Sequence, residues 1–76
     1  MRRNYYIIAP DGETKLTRTS SRPFNWVALV KVKGEPWGWV RWSETYEGAE
    51  KALAGWNRIP TLEQAYIGVC RHEESE

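Results

Sequence analysis

The sequence predicts an α+β fold: a mostly antiparallel β-sheet in the order β-β-β-β-α-β, with one helix packed on one face. Three observations carry this reading. Segments rich in β-branched and aromatic residues recur between clusters of turn residues. Only one segment repeats its apolar residues at helical spacing. A chain of 76 residues supports a single small domain, 1–76, whose core is thin.

Tyr5-Tyr6-Ile7-Ile8-Ala9 is the first predicted strand by its residue types. Pro10-Asp11-Gly12 turns it: proline presets φ, aspartate bonds the downstream backbone, and glycine accepts a positive φ. Glu13 to Thr19 returns as a polar strand, and Ser20-Ser21-Arg22-Pro23 connects onward. Phe24 to Val32 is the strongest strand signal in the chain. Lys33-Gly34-Glu35 turns it, and Pro36 to Trp42 runs back. Ser43 or Thr45 caps a helix whose first turn carries Glu44 and Glu47. Tyr46, Ala49, Ala52, Leu53 and Trp56 form its apolar stripe, and Pro60 stops it. Gln64 to Arg71 reads as the last strand, with residues 1–4 and 72–76 expected to be loose ends.

The central hairpin is apolar on both sides. Trp26, Ala28, Val30 and Val32 share one face with Phe24; Val27 and Leu29 share the other. Alternation places Trp37 and Trp39 on one face of the return strand and Trp42 on the opposite face. The register stays open, because a two-residue and a three-residue loop bring different tryptophans beside Trp26. A helix of about 13 residues is roughly 20 Å long and 10–12 Å across. Five strands at about 4.8 Å spacing span roughly 24 Å. A lone helix therefore covers one face incompletely and leaves the other open. Five tryptophans, three of them within Trp37-Gly38-Trp39-Val40-Arg41-Trp42, exceed what so small a core needs. Exposed aromatic surface of that kind is binding surface.

Eleven Lys and Arg stand against ten Asp and Glu, for a net charge of +1, but the basic residues concentrate in the first half and the chain closes on an acidic tip. Cys70 is the only cysteine, which fits a reducing compartment and a small core residue on the last strand. No apolar run approaches the ~20 residues that span a bilayer, so a cytoplasmic protein without a membrane partner is expected. One His and one Cys make a poor start for a metal site, and none is expected. No Ser–His–acid constellation, carboxylate pair or glycine-rich phosphate loop is apparent, so neither an enzyme nor a cofactor is expected.

The candidate binding residues are Trp37, Trp39 and Arg41 on the return strand, Lys31 on the strand before it, and Arg18 and Arg22, which bracket three hydroxyl residues. The two arginines suit an anion held by charge-assisted hydrogen bonds, or a polar strand end whose hydroxyls cap the backbone. Tryptophan and arginine are favoured anchors of protein interfaces. The same mixture on a sheet stacks and neutralises single-stranded nucleic acid, although such domains are usually far more basic than +1. A protein partner is therefore the leading expectation. Single-stranded nucleic acid is the alternative, and self-association as a homodimer is a third outcome.

Ile8-Ala9-Pro10-Asp11-Gly12, followed by Thr17-Arg18-Thr19-Ser20-Ser21-Arg22, an aromatic hairpin and an alanine-spaced helix, resembles small actinobacteriophage proteins with a PDG turn and an R-T-S-x-R segment. Relatives of that kind often continue with Tyr-x-His; this chain has Phe24-Asn25-Trp26, so no role for that histidine carries over. The resemblance brings no activity with it. It implies a bacterial host cytoplasm and an accessory protein that acts by binding a host or phage protein.

Overall fold

The Pro10-Asp11-Gly12 turn folds as its chemistry dictates. Gly12 takes φ +77°, its N–H donates to Ala9 O at 2.9 Å, and Ala9 N–H donates to Thr14 O at 2.9 Å. Asp11 accepts from Thr14 Oγ1 at 2.6 Å and from the Glu13 and Thr14 N–H groups at 2.9 Å. This turn joins β1 (Arg3–Ile8) to β2 (Lys15–Ser20). The second turn works in the same way: Gly34 takes φ +83°, and Glu35 N–H donates to Val32 O at 2.9 Å. It joins β3 (Trp26–Val32) to β4 (Gly38–Ser43). Helix α1 (Tyr46–Ala54) starts where Thr45 Oγ1 accepts from Gly48 N–H at 3.1 Å. A single 3₁₀ turn (Trp56–Arg58) then leads into β5 (Leu62–Val69) and β6 (Arg71–Glu74). The computed structural model describes residues 2–74.

The strands form two antiparallel three-stranded sheets, β2-β1-β6 and β4-β3-β5, rather than one sheet of five. The expected last strand breaks at Cys70, whose N–H donates to Asn25 O at 3.1 Å. Beyond the break, the chain leaves β3 and pairs with β1. Residues 3–4 and 72–74, expected as loose ends, are paired strand residues; Met1, Ser75 and Glu76 lie outside the described residues.

Two cores follow from this arrangement. On one side of the β4-β3-β5 sheet, Ala28 and Val30 meet Ala49 and Leu53 of α1, with Trp26, Val40, Trp56 and Ile67 packed around them. This is the helix-covered face, with the apolar stripe as the spacing predicts, although α1 has nine residues rather than about 13. The other side, expected to lie open, is roofed by the second sheet. Tyr5 and Ile7 of β1 and Phe24 of the connection pack there against Val27, Leu29, Trp37 and Trp42.

Tyr5 is the keystone of the roof. It is 1% exposed, and its ring meets Phe24 edge-on at 5.3 Å and Trp42 at 6.5 Å. Its hydroxyl donates to Arg22 O and accepts from Phe24 N–H. Two backbone groups of the connection thus find partners inside an apolar core, where leaving them unpaired is expensive.

Tyr5→Phe keeps the ring and leaves the two groups only their own 3.1 Å hydrogen bond, Phe24 N–H to Arg22 O. It should lower unfolding free energy by about 0.5–1.5 kcal/mol, with an unchanged urea m-value. A loss below about 0.5 kcal/mol would mean that water replaces the hydroxyl. A second prediction concerns the first turn. The Thr14 hydroxyl, then the Thr14 and Glu13 N–H groups, hold the Asp11 carboxyl below its ordinary 3.8. A carboxyl lowered on folding contributes stability above its unfolded value, and the contribution fades as pH falls through the folded value. The Tm gap between wild type and Asp11→Ala should be full near neutrality and close in acid; a gap independent of pH would show that the charge is irrelevant.

Candidate functional site

The arrangement of the tryptophan cluster turns on one residue. β4 pairs Trp42 with Val27, Arg41 with Ala28 and Trp39 with Leu29, leaving Val40 as an extra residue in a bulge. A bulge rephases the strand beyond it. Trp39 and Trp42, on opposite faces by simple alternation, therefore share the face that carries Val27 and Leu29. Their rings meet at 6.2 Å, inclined by 67°. Trp37, two residues before Trp39, joins the same inter-sheet core.

This overturns the expected exposure of Trp37. The residue is 6% exposed because the β2-β1-β6 sheet closes over it, so it is core and not contact surface. Trp39 alone of the three stays open, at 44%. Trp42 is 3% exposed, and its indole N–H is buried without an acceptor.

Around Trp39 the two sheets bring together residues distant in sequence. Arg18 of β2 lies over the Trp39 ring at 5.4 Å and over Phe24 at 5.2 Å. One guanidinium thus bridges the roof sheet to the sheet beneath. Beside it, Arg22 and Arg41 line a shallow groove of about 180 Å³ with Phe24, Trp42, Ser43 and Glu44. Phe24 is shared between the Arg18 contact and this groove, and Arg18, Arg22 and Arg41 are all exposed. Arg22 reaches this position because its carbonyl is pinned by Tyr5 and its N–H by Ser20 Oγ. The cation–π contact adds about 0.5–1 kcal/mol at such an exposed position.

Lys31 does not join the group. Its ammonium pairs with Glu63 of β5 at 3.5 Å and donates to Val32 O at 3.3 Å, across β3 from the arginines. Sequence reasoning also missed Phe24 as the floor beneath Arg18, having placed it with Trp26. Phe24 precedes β3 and belongs to the inter-sheet core, so strand alternation does not reach it.

Ser43 is buried, with its hydroxyl committed to the Thr45 carbonyl at 2.8 Å. The Cys70 thiol donates to Phe24 O at 3.3 Å, and burial pushes its pKa up, which favours the unreactive neutral form. His72 is exposed, with its ring edge-on to Tyr5 at 5.9 Å. Among the described residues, no group of three or more His, Cys, Asp or Glu side chains could hold a metal ion. No helix among them is long and apolar enough to cross a membrane. No protein-family model, curated protein or solved structure matches the chain at a significant level.

The geometry separates neighbouring tryptophans by role. Trp37→Ala should cost about 3–5 kcal/mol of stability, as for a large buried ring. Arg18→Ala should cost about 0.5–1 kcal/mol. Trp39→Ala should fall well short of the Trp37 value in the same urea titration. Equal losses at Trp37 and Trp39 would contradict the bulged register.

Proposed function

We propose that this chain is a non-catalytic binding module that engages an acidic segment of a partner protein through Trp39, Arg18, Arg22 and Arg41. The single observation carrying the reading is the half-exposed indole with the Arg18 guanidinium over it, packed on Trp42 and next to Phe24, two residues that also line the groove of Arg22 and Arg41. Tryptophan and arginine are the side chains that most often dominate protein interfaces. The indole supplies apolar contact, and the guanidinium forks supply directed hydrogen bonds to carboxylates. The surrounding core holds Trp39 against Trp42 and so lowers the ordering cost of binding.

Single-stranded nucleic acid is the second reading, favoured by the guanidinium–indole pair. It fits less well, because non-specific strand binding uses successive aromatic platforms along a basic groove. Here one indole is open, its aromatic neighbours Phe24 and Trp42 are buried, and net charge is only +1. We infer a setting in the cytoplasm of a bacterial host, where the partner is a host or phage protein. Its support is the resemblance in the PDG turn and the Arg18–Arg22 segment, together with a lone cysteine.

A displayed peptide library selected on the wild type should enrich sequences rich in Asp and Glu. Trp39→Ala and Arg41→Ala should each weaken the selected peptides about tenfold or more while the circular-dichroism melt stays near wild type. No enrichment, or enrichment indifferent to both changes, would refute the reading. A tryptophan-fluorescence titration with a single-stranded oligonucleotide at low salt supplies the other arm. Tight binding that weakens steeply with salt would transfer the site to nucleic acid.

A further inference from the structure

Glu44 holds a place that helix chemistry does not explain. A carboxylate in a helix's first turn complements the helix dipole. Here the helix starts after its cap, Thr45, and the acidic residue of its first turn is Glu47. Glu44 falls outside, one residue before the cap, where its carbonyl accepts from Asn25 Nδ2 at 3.1 Å. The residue is exposed, and it lines the groove of about 180 Å³ that also holds Arg22 and Arg41.

The charges in this groove do not cancel. Among the described residues the sole ion pair is Lys31–Glu63, so neither guanidinium is in salt-bridge contact with Glu44. Two arginines against one glutamate leave a surplus of one positive charge. The rest of the lining adds none. Phe24 and Trp42 are buried rings. The Ser43 hydroxyl is committed to the Thr45 carbonyl, and Thr45 Oγ1 accepts from Gly48 N–H. A monoanion seated here brings the groove to neutrality. A dianion overshoots, and it sets two like charges against Glu44 instead of one.

We infer that Glu44 is a charge filter, which lets the groove accept a carboxylate of the partner and turn away a phosphate monoester. The inference rests on the proposed binding of an acidic segment and narrows its chemistry to Asp and Glu side chains. Guanidinium forks by themselves take carboxylate and phosphate alike. Selectivity between the two therefore needs a repulsive element. A phosphorylated side chain carries about −1.5 to −2 at neutral pH, so the repulsion falls on it more heavily than on a carboxylate.

Two blocked pentapeptides test this: Gly-Gly-Asp-Gly-Gly, and the same peptide with phosphoserine at its centre. Each is titrated into the isotope-labelled full chain at about pH 7.5, where the phosphoserine is mostly dianionic. Arginine Nε–H and indole N–H resonances report where each one binds. The wild type should bind the Asp peptide at least as tightly as the phosphoserine peptide, with the Arg22 and Arg41 signals moving together. Glu44→Gln keeps the main-chain bond to Asn25 and should shift the preference toward phosphoserine about threefold or more. Glu47→Gln, exposed on α1 but outside the groove, should leave the preference unchanged.

A wild type that prefers phosphoserine overturns the filter. So does a preference that Glu44→Gln leaves alone, or that Glu47→Gln moves as far. In each of these cases the acidic-partner reading still stands if the Asp peptide moves the Arg22, Arg41 or Trp39 signals. Silence of all three toward both peptides overturns the filter and that reading together.

Discussion

One inserted residue governs this molecule. Without Val40 as an extra residue in β4, Trp39 and Trp42 would point to opposite sides of the sheet, and no single aromatic layer would form beneath the roof. With it, Trp37, Trp39 and Trp42 all line the side that faces β1 and β2. The bulge also turns Val40 toward the helix-side cluster, so one irregularity supplies both cores. The rest follows from where the roof ends. It covers Trp37 and Trp42, stops short of Trp39, and presents Arg18 at its margin.

Several elements were legible because their chemistry is local. Asp11 and Gly12 announce the first turn, Gly34 the second, and Thr45 with Ala49 and Leu53 the helix and its buried face. The division of β3 into a Trp26–Ala28–Val30 side and a Val27–Leu29 side follows from period-two alternation alone. What escaped was non-local. Nothing in Val40 itself marks a bulge; its register is imposed by Val27 and Leu29 across the ladder. Nothing in Gly68-Val69-Cys70-Arg71 announces that a strand changes sheets. The break is stabilised by Cys70 N–H meeting the Asn25 carbonyl, a contact 45 residues away in the chain.

Those two misses account for the altered site. A single five-stranded sheet has a bare apolar face, so Trp37 and Trp39 looked equally available. Folding the first and last strands over that face leaves one tryptophan open instead of a patch, and it draws Arg18 to the open ring. Of the original candidates, Arg18 meets Trp39 and Arg22 shares a groove with Arg41, while Trp37 becomes core and Lys31 joins Glu63. The uncovered face of the molecule is instead the outer side of β2-β1-β6. There Thr19 bonds Asn4 at 2.8 Å and Lys15 lies over Tyr6 at 4.8 Å, a surface that tolerates water.

The phase of β4 is most directly tested by labelling all five tryptophans with 5-fluorotryptophan and assigning each fluorine resonance by single substitution. The account predicts that Trp39 shows a large solvent-isotope shift between H₂O and D₂O, that Trp37 and Trp42 show almost none, and that a proton NOE links the Trp39 and Trp42 rings. Solvent shifts of equal size at Trp37 and Trp39, with no NOE between Trp39 and Trp42, would contradict the bulged register and the aromatic roof built on it.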